Sequence, residues 1–130
     1  EAFYDGAKAL YLDPAALDRK VQSYSKGMRQ KLGLLGTIMT ECPLLILDEP
    51  MSGLDPVARS LVKDMLLACK RQGRTIFLSS HILADMDEIC DEVAVLHEGQ
   101  IQFCGKPDNL KHETESTHLE RAFLTLIKAA

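Results

Sequence analysis

The sequence predicts an α/β fold with a mostly parallel sheet flanked by helices. Three observations predict it. Leu44-Leu45-Ile46-Leu47 is a short, continuous apolar run ending at Asp48, the pattern of a parallel strand buried on both faces. Asp13-Pro14 and Asp55-Pro56 each set an N-cap acceptor before a proline at the first helical position. Between and beyond them, apolar residues at helical spacing alternate with short apolar runs, so helices alternate with strands.

Residues 1–12 read as helical or irregular, with nothing to decide between the two. From Asp13 onward, Leu17, Val21 and Tyr24 share one helix face, and this helix stops near Ser23. A second helix opens around Gly27 with Met28, Leu32, Leu35 and Met39 on one stripe, and Pro43 bars its continuation. The strand Leu44–Leu47 follows. After Asp55-Pro56, the residues Val57, Leu61, Val62, Met65 and Cys69 form the buried side of a helix that ends at Gly73. Thr75–Leu78 is the next strand, closed by Ser79-Ser80-His81. A helix with Ile82, Met86, Ile89 and Cys90 inward leads to Val93–Leu96, a Glu98-Gly99 turn and Gln100–Cys104, which read as a hairpin. The last helix is expected from Thr117, where Thr117 and Glu120 make a capping box. Leu119, Ala122, Phe123, Leu126 and Ile127 lie on its core side.

A length of 130 residues fits one domain or a large piece of one. An apolar share of 46% and a charged share of 26% belong to a globular chain rather than a disordered one. Lys and Arg number 15 against 19 Asp and Glu, a net charge of −4, which argues against a general binder of nucleic acid or anionic membrane. No apolar run approaches the ~20 residues that a membrane helix needs. No signal-peptide pattern opens the chain, and its first residue, Glu1 rather than Met, suggests an excised or processed piece. The four cysteines are widely spaced without C-x-x-C, as expected for reduced thiols of a cytosolic protein. The four histidines lack metal-ligand spacing, which argues against zinc.

In α/β folds, ligands bind beyond the carboxyl ends of the strands. Asp48 and Glu49 follow the first strand, and Ser79, Ser80 and His81 follow the second. A carboxylate pair and a histidine at two strand ends can converge on one crevice, hold Mg²⁺ and position a water for attack on phosphate. The plainer reading is that Asp48 and Glu49 cap the next helix and His81 is an ordinary loop residue. Ser25-Lys26-Gly27 stands just before a helix, where amides and the helix dipole favour an anion. Equally, Ser and Gly simply begin helices.

Taken together these features carry a resemblance. Tyr24-Ser25-Lys26-Gly27-Met28-Arg29-Gln30-Lys31 resembles the signature motif of ATP-binding-cassette (ABC) ATPases. Family members usually read L-S-G-G-Q there; this chain keeps Ser25 and Gly27 but has Lys26 for Gly and Met28 for Gln. Leu44–Pro50 looks like the Walker B strand with its following glutamate, Ser52-Gly53-Leu54-Asp55 like the D-loop, and Ser79-Ser80-His81 like the switch-histidine loop. The order and spacing of the motifs are also similar to the family's. The resemblance runs from about Gln22 to Gly105 and more loosely to the C-terminus. It implies a partial P-loop NTPase-like fold. Residues 1–41 would be part of the helical subdomain, 42–106 the second half of the ATPase core, and 107–130 a C-terminal helical segment of the same domain.

The resemblance also implies roles. Asp48 would help hold Mg²⁺, chiefly through its water shell, and Glu49 would polarise the attacking water as general base. His81 would contact the γ-phosphate and that water. Ser25, Lys26, Gly27 and Met28 would form the nucleotide-binding signature acting in trans, with Ser25 and Gly27 on the γ-phosphate of ATP held mainly by the opposite subunit. Ser52, Gly53, Leu54 and Asp55 would lie at the subunit interface, and Gln30 would stabilise the local fold. Met28 is also suited to pack on its helix's apolar stripe, and Lys26 to remain a solvated charge.

Two family features are not found in this sequence: the phosphate loop G-x-x-x-x-G-K-[ST] (Walker A) and the Q-loop glutamine. The nearest approach, Gly99 to Gly105-Lys106-Pro107, is one residue too long and lacks the hydroxyl. Without the backbone cradle and its lysine, nucleotide affinity should be weak or absent. The strand Leu44–Asp48 should also lack a sheet neighbour and expose a hydrophobic edge. The isolated chain is therefore expected not to hydrolyse ATP and to associate. The resemblance implies an energy-coupling ATPase subunit of a membrane transporter. Ser79–Ala84 and Cys90–Ala94 look most like ATPases of bacterial exporters. Its cofactors would be ATP and Mg²⁺. Its partners would be a second nucleotide-binding subunit and transmembrane permease subunits, with no nucleic acid. It would sit peripherally on the cytoplasmic face of the cell membrane. The alternatives are a non-transport ABC ATPase of DNA repair or the ribosome, and a non-catalytic half-domain that supplies only the signature side.

Overall fold

A computed structural model describes residues 2–129. They form two compact units that divide between Ser80 and His81. The first contains helix α1 (Ala2–Ala9), helix α2 (Pro14–Leu17), a 3₁₀ turn (Val21–Ser23), helix α3 (Lys26–Met39), strand β1 (Leu44–Asp48), helix α4 (Pro56–Arg71) and strand β2 (Thr75–Ser79). β1 and β2 pair in parallel, with Asp48 opposite Ser79. A parallel pair needs a crossover, and α4 supplies it.

α1 resolves the undecided start of the chain as helix. It approaches α3 closely because Gly6 has no side chain: a Cβ there would lie 2.5 Å from Cδ1 of Leu35. Asp13 caps α2 as expected, accepting from the Ala15 amide at 2.9 Å. The expected long helix breaks, however, after Leu17. The 3₁₀ turn that follows shifts the phase, so Val21 is 50% exposed while Tyr24 is buried. The Tyr24 hydroxyl donates to the Ala16 carbonyl at 2.6 Å, which satisfies its buried polar end.

The β1 expectation needs correction. Leu45 and Leu47 are buried, but Ile46 is 71% exposed and its register partner Phe77 69% exposed. Only one face of this strand pair is covered within the unit. On α4 the buried stripe is Ala58, Val62, Leu66 and Cys69. Val57, expected inward, points out, and Leu61 and Met65 are half-buried flanks. On α3 the core residues are Leu34 and Leu35; of the expected stripe, Leu35 is buried, Met28 and Leu32 are half-buried, and Met39 is exposed.

Asp55 caps α4, accepting from the Ala58 amide at 2.9 Å. That hydrogen bond is the main reason its carboxyl titrates below the ordinary value of 3.8. A depressed carboxylate contributes stability above its unfolded pKa and loses it as pH falls through the folded one. Asp55→Ala should therefore lower Tm at neutral pH. The difference should close as both proteins are taken below the usual carboxylate range. Paired melts across pH check this.

The second unit holds helix α5 (Leu83–Ile89), strands β3 (Val93–His97) and β4 (Gln100–Gly105), and helices α6 (Pro107–Glu113) and α7 (Leu119–Ala129). β3 and β4 form the expected antiparallel hairpin. Its two turn residues, Glu98 and Gly99, both have positive φ (49° and 78°), as a type I′ turn requires. α6 was not expected from the sequence, although Pro107 at its first turn is a start signal. Lys111 ties α6 to α5 through Asp87 at 2.7 Å and also meets Asp108 at 2.9 Å. α7 begins at Leu119, so Thr117 lies outside the cap position and the capping box does not form as expected. Its buried residues are Leu119 and Ala122, with Phe123, Leu126 and Ile127 half-buried. All four cysteines are free thiols. Among the described residues no helix is long and apolar enough to cross a membrane.

Candidate functional site

The first unit gathers three of the predicted motifs around one end of its strand pair. β1 ends in Asp48, which is exposed, and the chain turns at once through Glu49. Glu49 has φ +47°, a left-handed conformation that costs a residue with a Cβ roughly 1–2 kcal/mol. Two contacts from β2 hold that turn. The Glu49 amide donates to the Ser79 carbonyl at 3.2 Å and to the Ser79 hydroxyl at 3.1 Å. The same hydroxyl donates to Oδ1 of Asp48. Parallel register makes this possible, because it sets Ser79 directly beside Asp48.

From the other side, α3 reaches the same turn. Nε2 of Gln30 donates to the Glu49 carbonyl at 3.1 Å and the Pro50 carbonyl at 3.0 Å. Gln30 therefore does stabilise the local fold, and it does so by joining the signature helix to the residues that follow β1. Ser25 caps α3, accepting from the Met28 amide at 3.1 Å. The first amides of a helix lack intrahelical partners, so the start of α3 keeps donors for an anion. Met28 is half-buried and Lys26 exposed. The D-loop lies against this helix start: a Cβ on Gly27 would stand 3.9 Å from the Gly53 carbonyl oxygen and 3.9 Å from Cδ2 of Leu54. The stem of Lys26 runs beside Gly53, with Cε 3.8 Å from where a Cβ would be. Gly53 has φ +74°, which favours glycine there. Ser52 and Leu54 are half-buried, and Asp55 is exposed with one carboxylate oxygen engaged in capping α4.

Ser25 to Met28, Asp48, Glu49 and Ser52 to Asp55 are thus brought together in the first unit. His81 is exposed and opens the second unit, so it is not among the residues this unit assembles. Ser79 is the residue whose part the sequence alone understated. Its place one strand over from Asp48 is the signal, and only the register reveals it.

The donor set bears on metals. Among the described residues, no group of three or more His, Cys, Asp or Glu could hold an ion. Mg²⁺ is different: it keeps several waters and needs only one or two carboxylates beside phosphate oxygens. Asp48, exposed at a strand end and oriented by Ser79, fits that requirement.

A family model described as "AAA domain, putative AbiEii toxin, Type IV TA system" matches residues 9–86. A fluoroquinolones export ATP-binding protein of Mycobacterium tuberculosis is 45% identical over 91 residues, which cover 70% of this chain and 30% of that protein. A bacitracin transport ATP-binding protein of Enterococcus faecalis is 48% identical over 85 residues, covering 64% of this chain and 28% of that protein. A solved structure of the ATP-binding subunit of an ABC transporter superposes with a TM-score of 0.84 at 30% identity. It covers 98% of this chain and 55% of that one. The chain therefore spans under a third of the length of these two curated relatives.

Proposed function

The chain belongs to the ATP-binding proteins of ABC transporters, within the AAA-domain ATPases, and from that membership we propose that it is a portion of a longer subunit that binds and hydrolyses ATP to power export across a membrane. The observation that carries this reading is the Gln30 bridge. It joins the helix that begins after Ser25 to the carbonyls of Glu49 and Pro50, so the helix that carries the signature residues and the strand-end carboxylate pair form one assembly. The exporter relatives support the direction of transport. Residues 1–41 would be part of the helical subdomain, 42–106 the second half of the core and 107–130 a helical close to the same domain.

In this reading Ser25 and Gly27 bind the γ-phosphate of a nucleotide held mainly by a second nucleotide-binding subunit, with Lys26 and Met28 completing the signature. Asp48 would hold Mg²⁺, which would supply charge neutralisation at the phosphates. Glu49 accepts a proton from the attacking water, and His81 contacts that water and the γ-phosphate. Ser52 to Asp55 face the partner subunit. Permease subunits carry the substrate and hold this subunit at the cytoplasmic face of the membrane.

The 130 residues contain no G-x-x-x-x-G-K-[ST] loop to grip the β- and γ-phosphates. The purified chain is therefore expected to show no Mg-ATPase activity above background. It should also self-associate through the open face around Ile46 and Phe77. A steady-state ATPase assay with size-exclusion chromatography tests both. Hydrolysis by the purified chain that disappears with Glu49→Gln would overturn the reading that this portion is incomplete.

A further inference from the structure

We propose that Arg74 is a positioning residue for the phosphate-facing end of α3, because it holds the opposite end of that helix on the β1–β2 pair. The inference rests on the reading above for its functional consequence, but its geometry stands apart from that reading.

Arg74 sits between the Gly73 turn and the first residue of β2. Its Nε donates to the Cys42 carbonyl at 2.8 Å and its Nη1 to the Ile38 carbonyl at 2.8 Å. Nη1 also lies 3.4 Å from the sulfur of Cys69, on the buried side of α4. The last carbonyls of a helix lack intrahelical donors, and a cation there complements the negative end of the helix dipole. A capping role alone needs only one donor. The planar guanidinium does more, since its fixed fork reaches two carbonyls four residues apart and a third segment at once. It does so although Nη2 is buried without a hydrogen-bond partner, a locally unfavourable arrangement.

The other anchor is Gln30, which ties α3 to the residues after β1. α1 packs on α3 at Leu35 and would travel with it. Tied by side chains to the strand pair at both ends, α3 has a defined direction on it, and tied at one end it can pivot. At 1.5 Å per residue, the arm from Gln30 to Ile38 is about 12 Å and the arm from Gln30 back to Lys26 about 6 Å. A shift of about 2 Å at Ile38, the scale of helix shifts at packed interfaces, then moves Lys26 by about 1 Å. Misplacement of that size can lower a rate by as much as ~10²-fold.

The test uses the full-length protein that contains this chain, as wild type, Arg74→Met and Arg74→Lys. The first readout is the set of backbone N–H residual dipolar couplings, which report helix orientation without any need for activity. In wild type one alignment frame should fit α3, α4, β1 and β2. In Arg74→Met the couplings of all of α3, Lys26 included, should leave that frame together, and Arg74→Lys should fall between. The second readout is kinetic, well below the melting point. The expectation is a kcat lowered about 10-fold with KM for ATP within about twofold, because a signature that acts in trans would govern the closed state rather than first binding. Couplings that change only near residues 36–42, or a lowered Tm with unchanged couplings, would overturn the proposal. So would reoriented couplings with kcat unchanged in an active enzyme. If the wild type has no ATPase activity, the functional reading fails, and the couplings alone still decide whether Arg74 positions α3.

Discussion

Glu49→Gln in the full-length protein is expected to lower ATP turnover by about 10²–10⁴-fold, the range for loss of a general base, with ATP binding retained. The amide matches the carboxylate in size but cannot take a proton from water. The backbone contacts that hold the turn, the Glu49 amide on Ser79 and the Glu49 carbonyl on Gln30, do not involve the side chain. The variant should therefore keep its fold, and steady-state turnover with equilibrium ATP binding separates chemistry from affinity. Retained turnover would remove Glu49 from the reaction.

Gln30→Leu should produce the second large effect, on both stability and rate. It takes the side-chain donor from the Pro50 carbonyl, whereas the Glu49 carbonyl still accepts from the Ser52 amide at 3.1 Å. An unsatisfied buried acceptor costs about 1–3 kcal/mol, and a drop in Tm reads it. The same change frees the start of α3 from the turn that carries Glu49. Turnover measured well below Tm should fall about 10-fold or more, since misplacement by about 1 Å can cost up to 10²-fold. A variant that melts earlier but turns over at the wild-type rate would make Gln30 a purely structural tie.

Much of this arrangement is legible in the sequence, for physical reasons. Asp-Pro and Ser-x-Gly starts are local signals, and Asp13, Ser25 and Asp55 all cap the helices they announce. The Glu98-Gly99 turn is legible because few pairs tolerate positive φ at both positions. Burial is less legible. Leu44-Leu45-Ile46-Leu47 reads as buried on both faces, yet Leu44 and Ile46 face outward because nothing in the described residues covers that side. On α4, Val62 and Cys69 are buried as the spacing predicts, but Ala58 and Leu66 complete the stripe, while Val57 is exposed and Leu61 and Met65 are half-buried. The α2 region failed differently: a 3₁₀ turn breaks the period that placed Val21 inward. At the site, residue types at strand ends pointed to Asp48 and Glu49. The parts played by Ser79 and Arg74 depend on register and on contacts more than 30 residues apart in sequence, 31 for Ser79 with Asp48 and 36 for Arg74 with Ile38, which no local pattern encodes.

The central claim is that these residues are one portion of an ATPase whose phosphate grip lies elsewhere. The most direct test is to read the coding DNA upstream of the codon for Glu1. The account predicts an open frame carrying a strand followed by G-x-x-x-x-G-K-[ST]. A start codon beside Glu1 with no such loop upstream would contradict it and leave a half-domain that offers only its signature side to another subunit.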